Sequence, residues 1–257
     1  MAVPPLRALV AAGHDIALVV TRVDKRRGRG SEMSPSPVKA AALELGLPVS
    51  HDVDDVIATG AELGVVVAFG QLIKPHVLAA MPMVNLHFSL LPRWRGAAPV
   101  ERALLAGDAE TGVCLMQLEK GLDTGPVYAR VTVPIGARAT AADLREQLVH
   151  VGTDLLVNAL ASPLPEPVPQ TGDVTYAAKI TPADLRIDWT AEPAAIDRLV
   201  RMGGAWTMFR GKRLKVLAAE LDGPDLRLVT VQPEGKGPMA YTDWARGARP
   251  GVDEPFE

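Results

Sequence analysis

Over the first 160 residues, short apolar runs alternate with stretches of helical periodicity. The runs are residues 16–20 (IALVV), 64–69 (GVVVAF), 83–87 (MVNLH), 113–118 (VCLMQL) and 127–133 (VYARVTV). Their length and β-branched content predict strands, and the unbroken run at 64–69 reads as a strand buried on both faces. Helices are predicted over 4–12, 37–45, 97–105 and 140–160, the first three running up to or just short of Gly13, Gly46 and Gly107, and the last with Thr140 as its N-cap. Strand–helix alternation of this kind predicts an α/β domain with a parallel-rich, Rossmann-like sheet over residues 1–160.

The pattern then changes. Residues 161–170 (ASPLPEPVPQ) hold four prolines, a density that cannot continue helix or sheet. A stiff linker and interdomain segment is predicted over 161–190. Short strand candidates follow at 206–209, 214–220 and 226–232, so a small β-rich, OB-like domain is predicted over 191–257, with a frayed tail from 251. An α/β domain normally opens with a buried strand, yet here the helix at 4–12 comes almost at once. We therefore expect an N-terminally shortened form, lacking roughly ten residues of strand and glycine-containing loop.

Composition narrows the class. With 48% hydrophobic residues the chain can fill a core, and one cysteine excludes a disulfide framework or a cysteine-zinc site. No apolar run approaches a membrane span, and no signal peptide is evident, so a cytoplasmic protein is expected. A net charge of −3 hides two basic groups: Arg22, Lys25, Arg26, Arg27 and Arg29, then Arg210, Lys212, Arg213 and Lys215. Each is either a solvated face or a contact for a polyanion.

The segment 84–100 (VNLHFSLLPRWRGAAPV) carries the most chemistry. Asn85 and His87 stand two apart at the end of a predicted strand, so they share a face. Ligands bind at the carboxyl ends of strands in open α/β sheets. An amide donor beside an imidazole suits a reaction that builds negative charge on a carbonyl oxygen. Asp123 lies in a loop between two glycines (GLDTGP) that allow close approach to a ligand. The five histidines show no ligand spacing, so no metal is expected, and Cys114 in its apolar run reads as core.

Taken in order, Asn85-Leu86-His87, Ser89-Leu90-Leu91-Pro92, Arg95-Gly96-Ala97-Ala98-Pro99 and Leu122-Asp123-Thr124-Gly125 resemble the folate-dependent formyltransferases. The resemblance implies transfer of a formyl group from 10-formyltetrahydrofolate to an amine by the trio Asn85, His87 and Asp123. Asn85 would stabilise the oxyanion, and His87 would donate toward the same oxygen or the departing N10. Asp123 would orient His87 and relay the amine proton, and Ser89, Leu90, Leu91 and Pro92 would bind folate.

Other segments concern the acceptor. Residues 21–39 (TRVDKRRGRGSEMSPSPVK) resemble the basic acceptor-stem loop of the methionyl-tRNA formyltransferase family. Residues 175–189, 204–212 and 231–238 resemble that family's interdomain segment and C-terminal domain, although a stretch between Leu221 and Leu226 is short. This implies initiator methionyl-tRNA as partner, with Arg29, Arg27, Arg213 and Lys215 on the tRNA, Trp206 and Phe209 in the core, and a monomer. Two other readings use the same core: a sugar-amine formyltransferase, and a folate- or tRNA-binding remnant without turnover.

Overall fold

The computed structural model describes residues 1–26, 33–251 and 254–256. It divides into two compact units, Met1–Ala97 with Thr111–Val133 and Arg145–Tyr176, and Ala98–Glu110 with Pro134–Leu144 and Ala177–Glu257.

Among the described residues the first element is helix α1 (Val3–Ala11), followed by β1 (Val19–Val20), β2 (Lys25–Arg26), β3 (Met33–Ser34), α2 (Pro37–Glu44), β4 (Val49–Ser50) and β5 (Gly64–Val67). Next come α3 (Pro75–Ala80), β6 (Met83–His87), β7 (Arg95–Gly96), α4 (Pro99–Ala106), β8 (Glu110–Gln117), β9 (Val127–Pro134) and α5 (Ala141–Leu160). The main sheet has the order β5-β6-β8-β9. In it β6 runs parallel to β5 and antiparallel to β8, so the sheet is mixed. All five residues of β6 are buried, including the polar Asn85 and His87.

Two expectations are corrected at the start of the sheet. Only Val19–Val20 of the run 16–20 is strand, pairing in parallel with β4 alone. The run 64–69 is not buried on both faces. Its strand stops at Val67, because Ala68 turns into the left-handed region at φ 48°, and all four residues of β5 are half-buried. The cause is position: β5 is an edge strand. A cavity of about 290 Å³ lies against β1 and β5, lined by apolar side chains including Leu6, Leu9, Val19, Val65 and Met83.

Helix α5 starts as its sequence predicts. Thr140 Oγ1 accepts from the Asp143 N–H and donates to Asp143 Oδ2, which also accepts from the Thr140 N–H. This reciprocal cap satisfies two orphan donors and holds the Asp143 carboxyl below its ordinary range. Farther along, Gly152 lets the helix approach the sheet. A Cβ there would sit 3.1 Å from Val113 and 3.3 Å from Leu86.

The second unit is built on an antiparallel sheet. After β10 (Tyr176–Ala177) and α6 (Pro193–Met202), strands β11 (Trp206–Phe209), β12 (Lys212–Asp222), β13 (Asp225–Pro233) and β14 (Met239–Ala240) are neighbours in that order, followed by α7 (Tyr241–Ala248). Where the sequence is short, Asp222 pairs directly with Asp225 across a tight turn, so β12 and β13 form one long hairpin. The hydrophobic runs 206–209, 214–220 and 226–232 are all strand. Helices α6 and α7 were not read from the pattern, because proline, glycine and charge interrupt both of their flanks.

The polar anchor of this unit is Asp197 on α6, only 2% exposed. Its carboxylate accepts from Arg138 Nη1 at 2.9 Å and Arg201 Nε at 2.8 Å, and these guanidiniums also reach the carbonyls of Ala219 and Ala139. Removing the carboxylate leaves the Arg201 guanidinium largely buried without its charge partner, while Arg138 can turn to water. Asp197→Ala is therefore expected to cost about 2–4 kcal/mol, carried mainly by the buried Arg201 contact and read by chemical denaturation. A loss below about 1 kcal/mol would show that water replaces the carboxylate without penalty.

Candidate active site

The backbone of β6 brings Asn85 and His87 to one face at the end of the buried strand, as period two requires. In the ladder Asn85 sits opposite Val66 and Met116, and His87 opposite Cys114. Asn85 is 9% exposed and His87 5%. No side-chain hydrogen bond holds the Asn85 amide among the described residues. A buried amide normally finds a partner, so one left uncommitted is a donor in waiting.

His87 is oriented from both sides. Its Nε2 lies 2.9 Å from the Trp94 carbonyl oxygen, which can only accept, so Nε2 carries a hydrogen. Its Nδ1 faces Asp123 Oδ2 at 3.6 Å. That oxygen is fixed by the Gly96 N–H, which donates to it at 2.8 Å. Asp123 occupies the loop after β8 with φ 50°, in the left-handed region that aspartate tolerates better than most non-glycine residues. Two residues separated by 36 positions in the chain, His87 and Asp123, thus meet at one edge of the imidazole.

The turn after β6 is packed rather than open. Ser89 is fully buried and its hydroxyl donates to the Arg93 carbonyl at 2.6 Å. Leu91 is buried beside Cys114, Met116 and Val127, Leu90 is half-buried, and the Leu91–Pro92 peptide is cis. The Ser89 hydroxyl is thus spent on the turn itself, and 89–92 presents shape and backbone to a ligand. Trp94, at φ 62°, donates its N–H to Thr175 Oγ1. Burial pushes the Cys114 thiol up, which fits a core residue and not a nucleophile.

Sequence reasoning missed three contributors: the Trp94 carbonyl, the Gly96 N–H and Gln170. The first two are backbone groups, invisible to residue type. Gln170 lies in the proline-rich segment, 47 residues from the Asp123 carbonyl it binds.

Arg29 and Arg27 lie outside the described residues. Arg213 and Lys215 are exposed on β12, alternating with buried Leu214 and Val216, and so share a face. Trp206 is only half-buried, against the expectation of a core residue. Its indole N–H donates to the Pro182 carbonyl, and the Arg213 and Arg186 guanidiniums lie 4.2 and 5.7 Å from its ring centre. Phe209 is core, edge-on to Trp244 at 5.0 Å. Among the described residues no group of three or more His, Cys, Asp or Glu converges to hold a metal, and no helix is long and apolar enough to cross a membrane.

This geometry can be set beside known proteins. Residues 6–160 match the Formyl transferase family and 179–225 its C-terminal domain. The methionyl-tRNA formyltransferase of Ruegeria pomeroyi is 50% identical over 238 residues, covering 86% of this chain and 78% of that protein. The methionyl-tRNA formyltransferase of Thermobifida fusca is 42% identical over 298 aligned positions, covering 100% of this chain and 96% of its own length. Among solved structures, the N-formyltransferase of Helicobacter canadensis, in complex with folinic acid and dTDP-3-aminofucose, superposes with a TM-score of 0.65. At 19% identity over 86% of this chain and 84% of that one, it shares the fold. A family match over 6–160 and relatives of 42–50% identity along most of the chain leave one assignment: the chain belongs to the formyl transferase family, in its methionyl-tRNA formyltransferase line.

Proposed function

We propose that Asn85, His87 and Asp123 carry formyl transfer from 10-formyltetrahydrofolate to the α-amine of initiator methionyl-tRNA. The observation that carries this reading is the His87 Nδ1 edge turned to Asp123, with Asn85 on the same face of β6 and its amide uncommitted among the described residues. The acceptor follows from the named relatives. The division into a catalytic domain over 1–160, a linker over 161–190 and a tRNA-binding domain over 191–257 is supported by the family matches at 6–160 and 179–225.

An α-amine titrates near pH 7.7–8.0, so a useful fraction is neutral and nucleophilic at neutral pH. It attacks the formyl carbon, and the carbonyl electrons move onto oxygen. Asn85 donates its N–H to that oxyanion. Nε2 of His87 is committed to the Trp94 carbonyl, so Nδ1 is the ring nitrogen that holds the mobile proton. Asp123 takes the proton lost by the amine, while Nδ1 gives its own to N10 as the carbon–nitrogen bond breaks. Transfer from Asp123 to Nδ1 restores the starting state, and the proton count closes. No metal enters this scheme.

The test is formylation of Met-tRNA against formylation of an amino-sugar nucleotide, with 10-formyltetrahydrofolate as donor. Preference for the sugar would move the protein to the runner-up reading, and no turnover on either would make it a binding remnant.

Arg29, Arg27, Arg213 and Lys215 are assigned to the tRNA backbone. Arg29→Ala is expected to raise the KM for Met-tRNA and leave the KM for the folate unchanged. Arg213→Ala with Lys215→Ala removes two phosphate contacts, and each released counterion contributes about 0.7–0.9 to the slope of log K against log salt. The double variant should therefore flatten that slope by about 1.5, measured by titration at several salt concentrations. An unchanged slope would mean that the outer face of β12 is only solvated.

A further inference from the structure

We propose that Gln170, in the proline-rich segment, is a positioning residue that fixes Asp123 for proton transfer with His87. This rests on the reading of Asp123 given above and assigns a role to a residue outside the formyltransferase motifs.

Every hydrogen-bonding group of the Gln170 amide is used in one direction. Its Nε2 donates to the carbonyls of Asp123 and Gly125, both at 2.8 Å. Its Oε1 accepts from Arg95 Nε at 3.1 Å and Nη2 at 2.7 Å. Reversing the amide would set NH₂ against a guanidinium and oxygen against two carbonyls, so the orientation is fixed by its partners. Arg95 in turn immediately precedes Gly96, whose N–H holds Asp123 Oδ2, and the Arg95 N–H is tied to the Thr175 carbonyl at 2.9 Å. The loop is thus gripped at its backbone by Gln170 and at its carboxylate by Gly96, and Arg95 joins the two grips.

The grip is needed because Asp123 is held at φ 50°. Even for aspartate the left-handed region is less favourable than the ordinary ones, so contacts that hold the backbone there also hold the carboxylate in place. Loss of the Gln170 donors would let the loop relax and carry the carboxylate away from Nδ1. A displacement near 1 Å can cost about 100-fold in rate even when it originates away from the chemistry. The segment's prolines suit this role, since they deliver the side chain from a stiff stretch.

The test is Gln170→Glu beside Gln170→Ala, each alone and combined with Asp123→Ala, assayed with 10-formyltetrahydrofolate and Met-tRNA well below the melting temperature of every variant. Glutamate keeps the shape and the Arg95 contact but loses both donors and sets charge against two carbonyls. Both variants are expected to lower kcat by about 10–100-fold. Each KM should stay within about threefold of wild type and the pH profile of kcat should move, as follows when chemistry and not binding is disturbed. In the Asp123→Ala background neither should lower kcat further, because the residue acts through Asp123. Wild-type kcat in Gln170→Glu with Asp123→Ala inactive would overturn the positioning role and leave the site reading intact. An additive double variant, or a loss confined to KM, would overturn it too. An active Asp123→Ala enzyme would overturn both.

Discussion

Replacing His87 by alanine is expected to lower kcat by about 100- to 10,000-fold, the span general acid–base catalysis contributes. The reason lies in the two edges of the ring. Nε2 is bound to the Trp94 carbonyl, so it anchors the imidazole and cannot exchange protons without breaking that contact. The proposed mechanism assigns the mobile proton to Nδ1, 3.6 Å from Asp123 on a residue 5% exposed, so water has little access to stand in for it. His87→Asn should rescue less than tenfold, since an amide supplies a donor but holds no transferable proton near neutral pH. Binding of tRNA should be nearly unchanged, because His87 lies far in the sequence from the basic groups assigned to the polyanion. The measurement is single-turnover formylation of Met-tRNA with tRNA affinity read in parallel. Near-wild-type turnover in His87→Ala would remove the mechanism.

How far the site could be read from sequence depended on whether side chains or backbone carry it. Asn85 and His87 were legible because strand period two and a β-branched, fully apolar neighbourhood put them at the buried end of β6. Asp123, by itself an ordinary turn residue between two glycines, was legible only because it follows the Asn-x-His segment and completes the family resemblance. The Trp94 carbonyl and Gly96 N–H were not, since every residue offers such groups and only the fold selects which one is used. Gln170 was hidden differently: a proline-rich stretch signals stiffness and says nothing of where the chain lands. The edge position of β5 was hidden as well. Its run GVVVAF has the composition of a doubly covered strand, and the cavity beside it explains why its residues are half-buried instead. Trp206 shows the same limit, because an aromatic on a short strand reads as core until the Arg213 guanidinium is seen over its ring.

Asn85→Ala is expected to lower kcat by about 100- to 1,000-fold, the loss measured when one oxyanion donor is removed from an enclosed site. Asn85 makes no side-chain hydrogen bond among the described residues, so the substitution deletes no hydrogen bond of the amide there. Its surroundings in the ladder, Val66 and Met116, are apolar. The amide is not among the fully buried unpartnered groups, so alanine relieves little desolvation cost and loses only the packing of a few side-chain atoms, and net stability should stay within about 1 kcal/mol of wild type. Activity and stability are thereby separated, as expected where a site holds a polar group for its substrate. Asn85→Asp tests the sign of the interaction. It keeps the shape but turns a donor into a charged acceptor facing the developing oxyanion, so it should fall below Asn85→Ala in kcat. Single-turnover rates beside thermal melts of the three proteins decide the matter. If Asn85→Ala loses stability in step with activity, the amide is a structural filler of the strand end. If Asn85→Asp matches wild type, no negative charge develops beside it.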